Sequence, residues 1–397
     1  MTATATESPA AARDRARLAL VVFVVLFAQV LLYPGVTDLV TALGGAGDLD
    51  PSTWFLAAEF LGFVLFAGVW GALSDRTGRR APYIAAGAVG GALGYLVLAA
   101  LGVRGDTAFA TVLVVRFLQG AFTIAAFSLA MTMLMDLGGG HGKNMGAAGI
   151  AIGLGTALGA PVGGQLTEIG PAVPLWVAGG ALLCAGLLAV RVDDRAPDRT
   201  AAGLRDAARR LRETPALGFP YAFGFMDRLT AGFFALVGTV YFRDTFALDA
   251  GGAGLMLGLF FAPFALLQYP LGVLSDRIGR KPLVAAGSLC YGAAVLAVYL
   301  APTLFLAGAA MVVLGVFGAL VSPATMALVS DLAGETDRGV AMGGFNVFGN
   351  LGFLAGFLVG SAVTAAAGYG PAFLAAAALE AGIVLVALPA FWRLDLD

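Results

Sequence analysis

Residues 71–82 read G-A-L-S-D-R-T-G-R-R-A-P, and residues 272–282 read G-V-L-S-D-R-I-G-R-K-P. The second segment begins 201 residues after the first, and each follows the second long apolar stretch of its half of the chain. Chance is a poor explanation for two such similar loops at matching places. The repeat therefore indicates that the chain consists of two related halves built on the same plan.

The composition is that of a protein whose main solvent is lipid. Of the 397 residues, 59% are apolar and only 12% are charged, whereas about a quarter of the residues in a soluble domain are charged. A bilayer core about 30 Å thick needs about 20 apolar residues per helical crossing. The sequence offers twelve such stretches: 18–40, 52–73, 82–102, 108–134, 144–167, 172–191, 217–242, 251–274, 282–300, 302–329, 339–366 and 371–392.

These apolar stretches predict helices. In lipid, backbone N–H and C=O groups are satisfied only within helices or closed barrels, and the stretches are too long and too uniformly apolar for barrel strands. We therefore expect an all-α membrane protein. The first stretch is not expected to be a cleaved signal, because its apolar run exceeds the roughly 7–15 residues of a signal core and eleven further stretches follow it.

The basic residues predict the orientation. If both termini lie in the cytoplasm, all but four of the 23 Lys and Arg residues fall on cytoplasmic segments. The exceptions are Arg104 and Arg243 on the outer side, and Arg116 and Arg228 within spans. This bias follows the positive-inside rule and predicts a multi-pass protein of the cell (inner or plasma) membrane with cytoplasmic termini. Topology accounts for the basic residues, so no nucleic-acid partner is expected.

The longest polar segment lies in the middle of the chain and separates two bundles. Residues 200–213 within it form either a short amphipathic helix on the inner leaflet or a plain solvated linker. The predicted domain plan is a cytoplasmic tail (1–17), an N-terminal six-helix bundle (18–191), a cytoplasmic linker (192–216), a C-terminal six-helix bundle (217–392) and a cytoplasmic C-terminal tail (393–397).

The repeated loop also carries a family resemblance. Its pattern, G-x-L-x-D-R-x-G-R-[RK], resembles the signature loop of major facilitator superfamily (MFS) transporters. The resemblance covers almost the whole chain, through the number of helices, the long middle loop and the position of the repeat. It implies twelve transmembrane helices in two pseudo-symmetric six-helix bundles, the MFS fold, and transport by alternating access between them.

Charged residues around the repeated loops are candidates for a cytoplasmic gate. Asp75 lies at a helix end, and the eleventh span begins near Arg338 on the same side of the membrane. The free N–H groups at a helix N-terminus carry about half a positive charge, so we expect Asp75 to bind there across the two halves. Opening toward the cytoplasm would then break this contact.

Two further pairs of opposite charge support this gate. Asp136 with Lys143, and Asp331 with Arg338, are each seven residues apart and resemble the element that partners the signature loop in this family. The alternative interpretation is that these charges only set the topology. The predicted gate comprises Gly71, Asp75, Arg76, Gly78, Arg79, Asp136, Lys143, Asp276, Arg277, Gly279, Arg280, Asp331 and Arg338.

Charges inside the spans are candidates for the transport site, because an ionisable group at bilayer depth costs about 3 kcal/mol. Glu59 and Arg116 lie at similar depths, about 10 and 12 Å from the outer face at about 1.5 Å per residue, so we expect them to pair. Arg116 opens R-F-L-Q-G-A, which resembles the R-x-x-Q-G element associated in this family with proton coupling. The pair either exchanges a proton when the cavity opens or is a static link between two helices.

Asp227 and Arg228 lie near the middle of the seventh span. Adjacent helical residues point about 100° apart, so we do not expect them to pair with each other. The family resemblance implies that spans one, four, seven and ten line the cavity. Asp227 is therefore the first candidate for a coupling or substrate-contacting acid, and Arg228 for binding an anion or neutralising a neighbouring helix. Glu380 ranks lower, because the twelfth span is an outer scaffold in this fold.

The fifth span contains G-L-G-T-A-L-G-A-P-V-G-G at 153–164. It resembles the antiport-associated G-x-x-x-G-P-x-x-G-G element, but the proline falls one position late, which weakens the implication of antiport. Small residues four apart allow close helix packing, and proline permits a bend. The candidate hinge comprises Gly155, Gly159, Pro161, Gly163 and Gly164, with ordinary packing as the alternative. Weaker cavity candidates, interpreted as packing, are Gln29, Tyr33, Gln119, Phe233, Phe234, Gln268, Asn346 and Asn350.

Enzymatic and metal chemistry find little support in the sequence. Cys184, Cys290 and the single His141 do not make a metal cluster. The sequence shows no nucleotide-binding loop and no nucleophile with a histidine partner. We therefore expect no metal, no cofactor, no catalytic residue and no enzyme activity.

The leading prediction is a secondary active transporter working by alternating access, with proton-coupled export of a small amphipathic or cationic solute. Asp227 and the Glu59–Arg116 pair would carry the coupling. The second prediction is uptake or exchange of an anionic metabolite with Arg116 and Arg228 as a clamp, and a third is a non-transporting membrane sensor or membrane-embedded enzyme. The expected partners are a small-molecule substrate, protons and the lipid bilayer, and the expected state is a monomer.

Overall fold

The computed structural model describes residues 9–46, 48–104, 107–137, 141–194 and 204–393, and none of these residues forms a strand. The helices are α1 (Pro9–Val30), α2 (Val36–Ala42), α3 (Leu49–Thr77), α4 (Ala81–Arg104), α5 (Phe109–Asp136), α6 (His141–Ile169), α7 (Val173–Ala189), α8 (Leu204–Glu213), α9 (Gly218–Phe233), α10 (Thr239–Phe246), α11 (Ala250–Ile278), α12 (Arg280–Leu300), α13 (Leu304–Ala367) and α14 (Tyr369–Trp392). A 3-10 turn (Pro215–Leu217) precedes α9, and a π-helical turn (Phe234–Gly238) joins α9 to α10.

Ten helical segments of the described chain are long and apolar enough to cross a membrane. Helix α7 is apolar but has 17 residues, and α1 supplies the remaining crossing with the buried apolar run that begins at Leu18. The total is the twelve crossings that the sequence predicts. Helix α8 is separate from them and is strongly amphipathic, with two arginines in its last turn.

Helix α13 supplies two of these crossings, Leu304–Ala333 and Gly339–Ala367. The sequence predicts a loop between the two crossings, whereas the backbone of α13 is helical along all 64 of its residues. Such a helix measures about 96 Å at 1.5 Å per residue, three times the hydrocarbon thickness, so the two parts must run back alongside each other. Two contacts support this reversal. Gly308, near the start of α13, lies beside Leu259 of α11, and Ser361, near the end of α13, lies 2.5 Å from Thr53 near the start of α3.

The crossings form two bundles, α1–α7 and α9–α14, which we call the first and second bundle. Each is held by close helix packing at glycine. A Cβ on Gly62 of α3 would lie 2.5 Å from the carbonyl oxygen of Phe117 on α5. A Cβ on Gly352 of α13 would likewise overlap the carbonyl of Phe225 on α9. Such contacts bring helix backbones together and fix the rotation of the side chains that follow.

The bundles meet on the face opposite the chain termini, which we call the far face; the other is the terminal face. There α6 packs along α11, where a Cβ on Gly254 would lie 2.5 Å from the carbonyl oxygen of Ala160. Toward the terminal face a Cβ on Gly146 or Gly149 of α6 would meet nothing within 4 Å. The close approaches of α6 to α11 therefore lie on the far side and in the middle of the structure, where a Cβ on Gly153 would lie 2.7 Å from the Cβ of Ala265.

The candidate hinge glycines of α6 pack on two different helices. Gly155, Gly159 and Gly163 face α1, where their absent side chains leave room for its backbone. Gly164 faces the start of α11, and Pro161 packs on Gly258 of the same helix. The proline is accommodated inside an otherwise continuous helix. These contacts explain the small residues by packing, and a hinge motion stays a prediction.

Candidate functional site

A cavity of about 1050 Å³, part of it open to solvent, lies between the two bundles. Most of its wall is apolar and aromatic, with a few polar groups. The aromatic lining is Tyr33, Phe60, Phe63, Phe127, Phe260, Phe261, Phe264 and Phe353, and the polar lining is Gln29, Thr156, Asp227, Arg228, Gln268, Ser322 and Asn350.

Aromatic side chains close the cavity between the bundles. Phe60 of α3 stacks on Phe353 of α13, with ring centroids 5.0 Å apart. Phe357, one turn further along α13, meets Phe60 edge to face at 5.3 Å. Such pairs contribute about 0.5–1.5 kcal/mol beyond the area that they bury. They contact across the interface without joining the bundles permanently.

Asp227 and Arg228 line the cavity from the middle of α9. Asp227 is only 7% exposed and Arg228 is half-buried. Within the described part of the chain, neither side chain forms a hydrogen bond or a close ion pair, and the two charges lie within electrostatic range of each other. Arg228 lies along Gly349 of α13, where a Cβ would lie 3.3 Å from its Cγ. The site therefore presents one acidic and one basic group whose hydrogen-bonding capacity is available to a ligand.

Glu59 and Arg116 form the ion pair that the sequence predicts, with Arg116 Nη2 at 2.6 Å from Glu59 Oε2. Gln119 completes the network: it accepts a hydrogen bond from Arg116 at 2.6 Å and donates one to Glu59 at 3.2 Å. Tyr95 donates to Glu59 at 3.4 Å, and the guanidinium lies over the rings of Phe55 and Tyr95 at 4.7 and 5.3 Å. Both charged side chains are fully buried. The pair joins α3 to α5 in the core of the first bundle.

This ion pair does not line the cavity. Gln29 and Tyr33 of α1 do line it, and Gln29 donates a hydrogen bond to the Tyr33 hydroxyl at 2.9 Å. Tyr33 is buried and close enough to Glu59 and Arg116 to interact with both charges. Because Arg116 is already bound to Glu59, it is not placed to clamp a ligand together with Arg228, and the proposed double-arginine clamp is not assembled here.

Glu380 is the remaining intramembrane charge. It lies on α14, is fully buried in the second bundle and accepts a hydrogen bond from Thr230 of α9 at 3.0 Å. Of the weaker candidates, Gln119 belongs to the Glu59 network, whereas Gln268 and Asn350 line the cavity. The others are Phe233 and Phe234, which pack on Phe373 in the core, and Asn346, which is half-buried on α13.

The gate charges of the first bundle gather at the terminal face. Asp136 pairs with Arg80 at 2.6 Å, and Asp194 accepts hydrogen bonds from the backbone N–H groups of Arg80 and Ala81 at 2.8 and 3.2 Å. The sequence favours Arg79 for this network, but the fully buried Arg80 makes the contact and Arg79 is exposed. Arg80 directly precedes α4, and its side chain reaches Asp136 at the end of α5.

The gate charges of the second bundle repeat the arrangement. Arg280 pairs with Asp331 at 3.0 Å and with Asp276 one turn before it. Gly78 and Gly279 adopt positive φ angles of 64° and 94°, a region that favours glycine, so the repeated glycines are required by the turns.

The remaining gate residues are placed as follows: Gly71 is buried, Asp75 is half-buried, and Arg76, Lys143 and Arg277 are exposed. The side chain of Arg338 lies outside the described residues. The contact of Asp75 across the halves therefore stays a prediction.

The polar contacts between the bundles that the sequence analysis missed lie on the far face. Arg243 of α10 donates two hydrogen bonds to Asp38 of α2, at 2.6 and 3.0 Å, and a third to Thr37 at 2.9 Å. Glu168, at the end of α6, accepts hydrogen bonds from the first backbone N–H groups of α11 at 2.9 and 3.3 Å. A signal was available for one of them, since Arg243 is one of the two basic residues that the sequence places on the predicted outer side.

Comparison with known proteins identifies the family of the chain and several relatives. The family model described as Major Facilitator Superfamily matches residues 18–240 and 221–396. An uncharacterized MFS-type transporter of Methanocaldococcus jannaschii is 33% identical over 140 residues, which cover 34% of this chain and 35% of that relative. The class C tetracycline resistance protein of Escherichia coli is 26% identical over 349 residues, 83% of each chain.

A solved structure has the same fold. It is that of a bacterial homologue of the human lysosomal transporter Spinster, in an inward-facing and unoccupied conformation. The TM-score is 0.79 at 12% identity, over 98% of both chains.

Proposed function

Because the chain belongs to the major facilitator superfamily, and is thus a multi-pass transporter of small molecules and not an enzyme, we propose that it couples proton movement to the export of a small amphipathic or cationic solute. The observation that carries this proposal is Asp227, a carboxylate with no protein partner among the described residues, in an aromatic cavity between the two bundles. Proton coupling and efflux are the parts of the proposal that need experiment.

The cavity wall favours an amphipathic ligand. Aromatic faces attract cations by about 0.5–2 kcal/mol, most when the cation is desolvated, and eight aromatic residues surround the cavity. Asp227 adds one negative charge to this apolar surface. A solute with an apolar body and one positive charge matches both features.

Asp227 also suits the coupling step. A carboxylate in a cavity of low polarity is stabilised either by a proton or by a bound cation. The two occupants exclude each other, so a proton that enters from one side displaces a solute that is released to that side. This exchange is proton–solute antiport, and it needs no residue beyond Asp227 in its simplest form.

The Glu59–Arg116 pair is less suited to carry the coupling. It is fully buried, is completed by Gln119 and Tyr95, and is separated from the cavity by Tyr33. Breaking a buried ion pair costs about 3–5 kcal/mol. We therefore infer that the pair links α3 to α5 as a static element while the bundles move.

The contacts between the bundles are consistent with alternating access. The far face is closed by the Asp38–Arg243 pair and by the contact of Glu168 with the start of α11, and we infer that the cavity opens toward the terminal face, where Gly146 and Gly149 of α6 have no neighbour within 4 Å. With the cytoplasmic termini that the positive-inside rule predicts, this is the inward-facing state. The hinge glycines of α6 and the terminal-face charges are proposed to act as the bundles rock, and the working unit is proposed to be a monomer.

Export is supported by relatives rather than by geometry. The class C tetracycline resistance protein of Escherichia coli, which is similar along most of the chain, is named for resistance to a drug. An exporter of an amphipathic compound fits that name. Its identity of 26% does not carry the substrate over to this chain, so tetracycline itself is one compound to be tried.

The test uses purified protein in proteoliposomes with an imposed proton gradient and a fluorescent lipophilic cation, ethidium, as the probe. Wild-type protein is expected to move ethidium against its gradient while protons move the opposite way. Asp227→Asn should lose gradient-driven movement and stay folded. The matched control is Asp50→Asn, which removes an exposed carboxylate at the start of α3 and should transport normally. Full, pH-independent transport by Asp227→Asn would remove Asp227 from the mechanism.

One observation favours a second function. Arg228 lines the same cavity without a protein partner among the described residues, and an arginine there suits a carboxylate or phosphate on an anionic metabolite. Arg228→Gln distinguishes the two proposals. It should abolish movement of an organic anion if the anion proposal is right, and should spare ethidium movement if the cation proposal is right.

A further inference from the structure

The buried surroundings of Glu380 contain hydrogen-bonding groups without partners. One carboxylate oxygen, Oε2, accepts a hydrogen bond from the Thr230 hydroxyl at 3.0 Å. The other oxygen, Oε1, is buried and has no partner. The hydroxyl of Ser288, on α12, is buried close enough to Glu380 to interact with it, and it forms no hydrogen bond with any other group. Buried polar groups in native proteins are nearly always satisfied, so this cluster needs an explanation.

The charged surroundings of Glu380 contain no compensating cation. Helices α9, α12 and α13 pack against α14. The titratable groups that they bring close to Glu380 are Asp227 of α9 and Tyr291 of α12, and Tyr291 lies within electrostatic range of both carboxyl groups. Within the described residues, no basic side chain pairs with Glu380. The other fully buried glutamate, Glu59, differs in having Arg116 as its partner.

A single proton explains these observations together. An isolated buried carboxylate is far more costly than its neutral form, and such groups take up a proton instead. A proton on Oε1 removes the uncompensated buried charge, and the carboxyl group can then donate a hydrogen bond to the oxygen of Ser288 beside it. Thr230 donates to the other oxygen. With one proton, therefore, each of these buried groups has a partner.

We propose that Glu380 is a second, buried proton-binding site, which exchanges its proton with the cavity through Asp227. The inference rests on the proposed proton coupling and deepens it by naming where the proton is held. Thr230 lies three residues after Asp227, on the same side of α9, and therefore holds Glu380 next to the cavity-lining acid.

The proposed transfer is balanced within the two carboxyl groups. The O–H bond at Glu380 breaks as an O–H bond forms at Asp227, and one proton and one negative charge remain shared between them. Asp227 then releases the proton to cavity water or keeps it until a cation arrives. The bundle core never holds two bare carboxylates at once, which would be the most costly arrangement.

The experiment is infrared spectroscopy of the purified protein in lipid nanodiscs at pH 7, without substrate or proton gradient. A protonated carboxyl group has its own C=O absorption. We expect Glu380→Gln to remove this band while keeping the Thr230 hydrogen bond, because glutamine matches the shape of a protonated glutamate. The control Glu213→Gln alters an exposed glutamate of α8 and should leave the band unchanged. In the unmutated protein, isotope labelling of glutamate should shift the band, which makes the assignment independent of how the variants fold.

The route through Asp227 is tested by exchange into heavy water. A positioned proton-transfer group typically speeds such a step by about 100-fold or more, so Asp227→Asn should slow deuterium exchange of the Glu380 band by about that factor. A glutamate-labelled band that persists unchanged in Glu380→Gln, or a band of which no part shifts on glutamate labelling, would show that Glu380 is ionised and would overturn the proposal. An exchange rate unchanged by Asp227→Asn would overturn the route. Since neither measurement needs transport, failure of the ethidium assay alone would count against the proposed function and not against this site.

Discussion

The Asp38–Arg243 pair makes the sharpest prediction about conformation, because it joins the two bundles on the far face. Arg243 donates hydrogen bonds to both carboxylate oxygens of Asp38, at 2.6 and 3.0 Å. The side chain of Asp38 is 35% exposed and that of Arg243 is 21% exposed. Exposed ion pairs contribute about 0.2–1 kcal/mol, and a bidentate, half-buried pair belongs at the upper end. Asp38→Asn should therefore weaken the closed far face by about 1 kcal/mol.

That loss shifts the balance between the two states by about fivefold, since about 1.4 kcal/mol corresponds to a factor of ten. The assay is labelling of Gln268→Cys, which lines the cavity from α11, in a chain whose Cys184 and Cys290 are replaced by alanine. A membrane-impermeant maleimide applied from the terminal face should label this position more slowly when Asp38→Asn is added. Applied from the far face, it should label more quickly.

The pair also allows a test by exchange of partners. Asp38→Arg combined with Arg243→Asp restores opposite charges and should recover much of the wild-type labelling pattern, whereas either single change should not. The matched control is Asp50→Asn, which removes a nearby exposed carboxylate. If Asp38→Asn is labelled at the same rate as wild type from each face, the reasoning is refuted, because the pair then contributes nothing to the choice between states.

Two further predictions concern stability. Glu59→Gln leaves the fully buried Arg116 without its counter-ion and should lower the free energy of unfolding by about 3–5 kcal/mol, measured as chemical denaturation in detergent micelles; an unchanged midpoint would contradict a buried ion pair. Gly352→Ala places a methyl group against the backbone of Phe225 and should cost about 1–3 kcal/mol. The control is Gly382→Ala, where a Cβ meets nothing within 4 Å; it should be neutral or slightly stabilising. Equal melting temperatures of Gly352→Ala and Gly382→Ala would contradict the close packing at Gly352.

Much of the fold follows from the sequence, because lipid leaves a chain few choices. Apolar runs of about 20 residues must be helices, and the repeated loops at 71–82 and 272–282 show the two halves. The helical backbone at 330–338 does not follow, since Ser330, Asp331, Gly334, Thr336 and Asp337 are poor helix formers and predict a loop.

The sequence predicts how deep the site residues lie in the membrane, but not how the helices that carry them are rotated. Counting residues from the membrane surface placed Glu59 and Arg116 at one height, and the structure pairs them. Whether that pair faces the cavity depends on how α3 and α5 are rotated, which is decided by backbone contact at Gly62 and Gly120. The same limit applies to Arg80, which pairs with Asp136 although Arg79 is the residue aligned with Arg280 in the repeated loop.

The two bundles share a fold but not a distribution of buried charge. In the first bundle, the buried acid Glu59 is neutralised by Arg116 within one network. In the second, Glu380 and Asp227 have no paired cation among the described residues, and Asp227 borders the cavity. A charge that must appear and disappear during transport cannot be held permanently by an arginine, because the ion pair would cost several kcal/mol to break in every cycle. If the proposed coupling holds, the first bundle is the scaffold and the second bundle carries the proton. Coupling should then follow substitutions at Asp227 and Glu380, whereas substitutions at Glu59 should act mainly through stability.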